Sequence, residues 1–475
     1  MRELETKNIK QANKKSIFNP YLPLNEYVPD GEPHVFNDRL YIFGSHDEET
    51  GDKFCPLDYV VWSAPVEDLS DWSCHGVIYK KEQDPANTDG SHRLFAPDVV
   101  QGSDGRYYLY YCLDLVPWIS VAVCDTPAGK YEYLGTVQYE DGKRLQDNMP
   151  YDPTVINDEG RIYLYYGFAP TFPINGKVQD CPGCSFIELK EDMLTVKTPP
   201  VVVIPAKKYA SGTSFEEHEF FEAASIRKIK DTFYLIYASA KIHELCYAIS
   251  KNPDRGFTYG GVVVSNGDIG LDGRLEKDSV WSPSNNHGGL VEVCGQWYIF
   301  YHRHTHGTMY NRQGCAEPIE IDEKGHIRQV EITSGGLANA PLEATGEYPA
   351  AIACNLWGIN GAKSPVFGKV IKDAPIVSSG EGKQFITQIE NGTVIGYKYF
   401  NFKGKTKLSL TYRGSAHGIF EISDTASGKN LGSASILPSS DWSTADTEFE
   451  INGASALFLR YYGSGSVELL SFQFL

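Results

Sequence analysis

The chain reads as all-β, a five-bladed β-propeller followed by a β-sandwich, and three observations carry that reading. A Gly/Asp-rich turn leading into an aromatic strand recurs five times, in YVPDGEPHVFNDRLYIFGSHD (Tyr27 to Asp47), SDGRYYLYYCLD, DEGRIYLYYGFA, IKDTFYLIYASA and VCGQWYIFYHRH. The copies stand roughly 55 to 70 residues apart, the length of a four-stranded blade with extended loops. After the last copy, short alternating strands continue without that repeat. The third observation is composition: 30 Tyr, 45 Gly and 26 Pro with few stretches of helical period favour many strands joined by turns.

Residues 1–17 form a polar arm, and the propeller is expected over 18–335. VVWSAPVEDLSDWSCHGVIY is the outer hairpin of the first blade, and EQDPANTDGSHRLFAPDVV is a rim loop leading into the second. Blade three opens with DNMPYDPTV, where Pro153 restricts Asp152 to an extended conformation. Blade four opens with FFEAAS and blade five with SNNHGG, whose glycines let the backbone pass close to a neighbour. QGCAEPIEIDEKGHIRQVEIT supplies the last propeller strands. The Gly/Ala/Pro-rich passage at 336–349 reads as a linker. From 350 to 475, TVIGYKYFNF, TKLSLTYRG, GIFEISD, TEFEING, ALFLRYYG and VELLSFQFL have the number and spacing of a β-sandwich.

The bulk numbers exclude some partners. A net charge of −18 disfavours nucleic acid and anionic membranes, which need a basic surface, but not a neutral sugar. The opening MRELETKNIKQANKKS lacks the apolar core of a secretory signal, and no run of about 18 apolar residues is long enough to span a bilayer, so a cytoplasmic protein is expected. The ten cysteines look like reduced core residues. The one CxxC, Cys181 to Cys184, has no second pair at zinc spacing and reads as a loop.

A phase relation points to function. About eleven residues upstream of each repeat tyrosine (Tyr41, Tyr108, Tyr163, Tyr234, Tyr298) stands an ionisable residue: Asp30, Asp98, Asp152, Glu222 and His287. A structural repeat does not need one there. Blades around an axis bring these five side chains toward its centre. Two carboxyl groups facing each other across a pocket are what glycosidic bond cleavage requires, one to protonate the leaving oxygen and one to activate water or attack the anomeric carbon. Glu222, flanked by Phe and Ala, sits in surroundings that favour the protonated form of a general acid.

With VPDGEPH, YDPTV and FFEAAS in that order, and FAPDVV ahead of DGRYYLYY, the span from about 18 to 335 resembles glycoside hydrolase family 43, five-bladed propeller enzymes that include β-xylosidases and α-L-arabinofuranosidases. The resemblance implies an inverting hydrolase in which Asp30 is the general base, Asp152 tunes and orients the acid, and Glu222 is the general acid. It departs from the family pattern where Gly31 follows the base and Ala223 follows the acid. The C-terminal part resembles a family 6 carbohydrate-binding module, with Trp442 and Tyr462 able either to stack on sugar or to serve the domain's structure.

Further candidates surround the acids. Asp98 reads as structural. His287 is a satisfied core histidine, a substrate contact or, as the resemblance implies, a ligand through waters to a structural calcium ion; no cofactor is otherwise required. Arg303 either hydrogen-bonds a sugar hydroxyl, pairs with Glu222 or forms a structural ion pair. Trp118, Trp281 and Phe221 are candidates for an apolar sugar platform. The expected activity is removal of arabinofuranosyl or xylosyl residues from short oligosaccharides. The alternatives are a catalytically silent sugar-binding propeller and a glycoside phosphorylase, which would need a cationic phosphate pocket.

Overall fold

The computed structural model of the protein describes residues 17–173 and 180–475. The expected N-terminal arm lies, but for Ile17, outside the described residues. Blade one is an antiparallel meander of β1 (Glu32–Phe36), β2 (Arg39–Phe43), β3 (Tyr59–Pro65) and β4 (Ser73–Tyr79). Blade two repeats it with β5 (Leu94–Gln101), β6 (Tyr107–Leu113), β7 (Ile119–Cys124) and β8 (Glu132–Thr136). Blade three has β9 (Thr154–Asp158), β10 (Arg161–Tyr166), β11 (Gly183–Leu189) and β12 (Val201–Pro205). Blade four has β13 (Phe220–Ile229), β14 (Thr232–Ser239), β15 (Glu244–Ser250) and β16 (Thr258–Ser265). Blade five has three strands, β17 (Leu290–Val293), β18 (Gln296–His304) and β19 (Arg312–Ile319).

The repeat seen in the sequence is the hairpin between the first and second strand of each blade. In blades one, three and five it turns on two residues, Asn37-Asp38, Glu159-Gly160 and Cys294-Gly295, all with positive φ. That is the backbone of a type I′ turn, whose twist matches the flanking strands. The repeat tyrosines fall on the second strands, and the ionisable residues fall in or just before the first strands.

The first strands form the inner ring. β1 packs beside β5 and β17, and β9 beside β5 and β13, while Arg227 Nε of β13 donates to Leu290 O of β17. Aromatic and aliphatic side chains fill the seams between neighbouring blades. The N-terminal segment completes blade five: Tyr21 N donates to Gly314 O, and Asn19 exchanges side-chain hydrogen bonds with both backbone groups of Ala316. The ring is thus closed by the start of the described chain lying on its last strand.

The seam between blades four and five is continuous with the core of the C-terminal part. There, β20 (Leu342–Glu343), β21 (Gly346–Pro349), β22 (Asn355–Trp357), β23 (Ile376–Gly380), β24 (Lys383–Ile389), β25 (Val394–Gly414), β26 (His417–Ser423), β27 (Gly432–Ile436), β28 (Ser439–Ser464) and β29 (Val467–Phe474) form one sandwich-like network in the order β23-β24-β29-β25-β28-β26-β27. Segments read as separate short strands merge into two long ones of 21 and 26 residues, β25 and β28. Their burial alternates along most of their length, which marks one covered face and one wet face. Within the passage read as linker, β20 pairs with β25 and β21 with β29.

Candidate functional site

The inner strands deliver a cluster of buried ionisable groups to one end of the ring. Asp30 precedes β1, Asp152 precedes β9 and Glu222 lies near the start of β13. Asp30 and Asp152 are almost fully buried, and Glu222 is half-buried. Asp30, Asp152 and Ala223 all have positive φ, 56°, 44° and 65°. Asp152 is therefore left-handed, against the extended conformation expected ahead of Pro153. The Ala223 N–H bonded to its carboxylate helps hold it there. Backbone held in a sparsely allowed region at a site is strain that the surroundings must overdetermine.

Asp30 is the anchored member. Arg312 Nη1 donates to Asp30 Oδ1 at 2.8 Å and Oδ2 at 3.1 Å, while Nε and Nη2 of the same guanidinium hold both oxygens of Asp47 at 2.9 Å. The Phe54 ring lies 4.8 Å from this guanidinium. His302 Nε2 is 2.9 Å from Asn285 O, so its Nδ1 lone pair is free to accept the Asp30 N–H at 3.3 Å. His287 stands between the acids, Nδ1 4.0 Å from Asp30 Oδ1 and 3.8 Å from Asp152 Oδ2, with Nε2 3.9 Å from Glu32 Oε1.

These contacts separate the acidities of the carboxyl groups. Burial works against ionising Asp30, but the Arg312 charge, helped by His302 and His287, outweighs it and holds the carboxyl at about 2. Glu222 has no such partner: burial, reinforced by the negative charge of Asp30, lifts it to about 8. Asp152 is pushed up by burial and then by Glu222 and Asp30. Burial lowers His287 to about 4 and His302 to about 3, so both are neutral at pH 7. One carboxylate stays charged while a neighbouring carboxylic acid keeps its proton.

The structure moves three of the expected platform and sugar contacts elsewhere. Arg303 points away from the acids: its Nη1 donates to Ala353 O and its Nη2 to Ala351 O and Gln313 Oε1, and Trp281 lies 5.1 Å under its guanidinium. Strand alternation is the reason, since His302 faces Asp30 and its successor must take the opposite face. Trp281 is accordingly buried in the seam shared with the C-terminal part, not offered to a sugar. Trp118 carries the Arg144 guanidinium 4.0 Å over its ring and packs at the edge of the seam between blades one and two. Phe221 is adjacent to Glu222 and joins Phe168 and Phe172 in an aromatic group at the blade three to four side, with Phe172 50% exposed.

Asp98 is structural, as expected. Its carboxylate takes His34 Nε2 at 2.6 Å, the Thr154 hydroxyl and the Val155 N–H, tying blades one, two and three together. The residues missed were Arg312, Asp47, His302 and Glu32. Counting by twos from His302 would have separated it from Arg303, but nothing local marks Arg312 in NRQGCAEP. In the C-terminal part, Trp442 is half-buried under Arg413, and Tyr462 is 38% exposed.

As for a metal, the described residues include two compact groups with ligand atoms, His218/Glu244/Cys246 and Glu32/His34/Asp98, and His287 is in neither. Glu32 Oε1, facing His287, is buried without a hydrogen-bond partner. One imidazole nitrogen and one carboxylate oxygen fit a calcium ion only if water supplies most of its six to eight ligands.

Comparison with known proteins bears on the family and the fold. A family model described as Glycosyl hydrolases family 43 matches residues 22–327. A xylosidase/arabinosidase of Thermoclostridium stercorarium is 48% identical over 97% of this chain and 99% of its own length. The solved structure of a β-xylosidase/α-arabinofuranosidase from a compost metagenome, with xylotriose and in calcium-free form, superposes with a TM-score of 0.52 at 25% identity over 67% of this chain and 98% of that one. An arabinoxylan arabinofuranohydrolase from Bacillus subtilis, solved with cellotetraose, shares the fold over 97% of both chains with a TM-score of 0.52 at 20% identity.

Proposed function

The chain belongs to glycosyl hydrolase family 43, and from that premise we propose that it is an inverting exo-glycosidase removing xylosyl or arabinofuranosyl residues from short oligosaccharides. The observation that carries this is one cluster of acids in which Arg312 donates to both oxygens of Asp30 while Glu222 has no hydrogen-bonded cation, an arrangement that pushes their acidities apart, to about 2 and about 8. Asp30 takes the proton of a water that attacks the anomeric carbon. Glu222 gives its proton to the leaving oxygen on the other side. Asp152, held by the Ala223 N–H beside Glu222, orients that acid, and burial together with the charges of Glu222 and Asp30 pushes its own carboxyl upward. His287 is a neutral imidazole standing between Asp30 and Asp152.

The substrate class is supported by the 48% identical xylosidase/arabinosidase, which extends over nearly the whole chain. The chemistry needs no cofactor; a calcium ion near His287, with its waters, would serve only to fix that ring. All ten cysteines are unpaired, which supports a reducing compartment and hence a cytoplasmic site of action on imported oligosaccharides. Among the described residues no helix is long and apolar enough to cross a membrane. A phosphorylase is disfavoured because Arg312, the cation beside the acids, spends its donors on Asp30, Asp47 and Cys55.

A panel of nitrophenyl glycosides tests the proposal: β-D-xylopyranoside or α-L-arabinofuranoside is turned over, at a rate independent of added phosphate. Proton NMR of the first-formed sugar shows the inverted anomer; a retained anomer removes the roles given to Asp30 and Glu222. The pH profile follows from the same pair. Asp30 must be ionised, which holds above about 2, and Glu222 protonated, which holds below about 8. We expect kcat/KM to be flat through neutrality and to fall about tenfold per pH unit above the Glu222 value. A basic limb at the ordinary glutamate value near 4.5 contradicts the assignment.

A further inference from the structure

The C-terminal part reaches the ring that covers the guanidinium holding Asp30. Phe54, whose ring covers the guanidinium that holds Asp30, stacks edge-on against Tyr310 at 4.9 Å. Phe367, from the loop between β22 and β23, lies 5.8 Å from Tyr310 and 6.5 Å from Phe54. These three rings come from blade one, from the β18–β19 turn of blade five and from the C-terminal part. They make one aromatic cluster on the Arg312 side of Asp30, with Tyr310 buried inside it and Phe367 at its exposed edge, whereas Phe168 and Phe172 gather around Phe221, the neighbour of Glu222.

Phe367 is placed but not covered. It is 72% exposed, yet its loop is tied to blade five through Gly368 N to the Tyr310 hydroxyl at 3.2 Å and Ile371 N to Gly307 O at 2.9 Å. Gly307, at φ 62°, admits the Ile371 backbone so closely that a Cβ there would stand 3.1 Å from Ile371 N. A large aromatic ring held in place at the edge of an aromatic cluster with most of its surface uncovered has the character of a ligand platform, because the apolar C–H face of a sugar packs on such a surface.

We propose that Phe367 is a substrate-contacting residue, completing with Phe54 and Tyr310 a wall against which the released sugar packs. The leaving portion must lie beside the Glu222 proton, so the sugar that is cut free is the one left facing Asp30, Arg312 and this wall. The C-terminal part then shapes the end of the pocket that accepts a single terminal sugar. The identity of the ligand rests on the hydrolase reading above; the placement of the wall does not.

The test uses the full chain with Phe367→Ala, Phe367→Tyr and, as a control in the same loop, Val370→Ala. Nitrophenyl glycosides carry only the released sugar, and binding of free xylose and arabinose is followed separately by ligand-observed NMR. Phe367→Ala is expected to lower kcat/KM by roughly tenfold or more, chiefly through KM, with monosaccharide binding weakened in parallel. Phe367→Tyr should restore both, Val370→Ala should leave both unchanged, and the unfolding temperature should not move. If Phe367→Ala hydrolyses and binds like the parent, the wall is overturned. If the parent hydrolyses no glycoside but binds monosaccharide in a Phe367-dependent way, the wall stands and the hydrolase reading falls. If the parent neither hydrolyses nor binds, both fall.

Discussion

Glu222→Gln is expected to lower kcat on a xylo- or arabino-oligosaccharide by on the order of 10²–10⁴-fold, the usual contribution of a positioned proton donor. The loss should shrink sharply on a dinitrophenyl glycoside, whose leaving group departs without protonation. The basic limb of the pH profile, set by a carboxyl held at about 8, should vanish with the side chain that titrates. Asp30→Asn should be at least as severe, and on both kinds of substrate, because water activation is needed whatever leaves. Steady-state kinetics on the two substrates decide it. Equal losses for Glu222→Gln on good and poor leaving groups would remove it as the acid, full activity in both variants would take the acid and base roles from this pair, and a parent without turnover would leave only a sugar-binding propeller.

Arg312→Met carries the second large effect, on stability and on acidity together. Arg312 is buried and satisfies Asp30 and Asp47 with four hydrogen bonds. Removing one partner of such a buried set typically costs about 3–5 kcal/mol, because the remaining charges are left uncompensated. Without the guanidinium, burial dominates: Asp30 rises above its unfolded value near 3.8, and Asp47, already held above it by burial, rises further. Protons then favour the folded state, so the destabilisation should be smallest near pH 4 and deepen toward pH 7. Thermal melts across that range measure it. The same shift protonates the base, so kcat/KM should fall at neutral pH and the acidic limb should climb into measurable range. An unmoved acidic limb would mean that Arg312 does not set the charge of Asp30.

These two expectations differ in how they could be reached. That Glu222 and Asp30 would meet was legible from chain position, because a propeller repeats one hairpin and places equivalent positions of every blade around one axis; the roles given to them came from the family resemblance. The tight turns at Asn37-Asp38, Glu159-Gly160 and Cys294-Gly295 are local chemistry, read directly from residue types that tolerate positive φ or from their place between two strands. Arg312 had no such signal. It belongs to the third strand of the last blade and meets Asp30 only because the ring closes, a contact between residues almost at opposite ends of the propeller.

By itself, then, the order of residues determined the all-β architecture, the five blades and the three acids, since each depends on period, turn chemistry or equivalent phase. Tertiary structure alone decided which cation holds Asp30, that Arg303 and Trp281 serve the seam with the C-terminal part, and that Phe367 joins the rings over Arg312. The physical reason is that a side chain's face along a strand is a local property, whereas its partner across a closed ring or a domain seam depends on where distant strands come to rest.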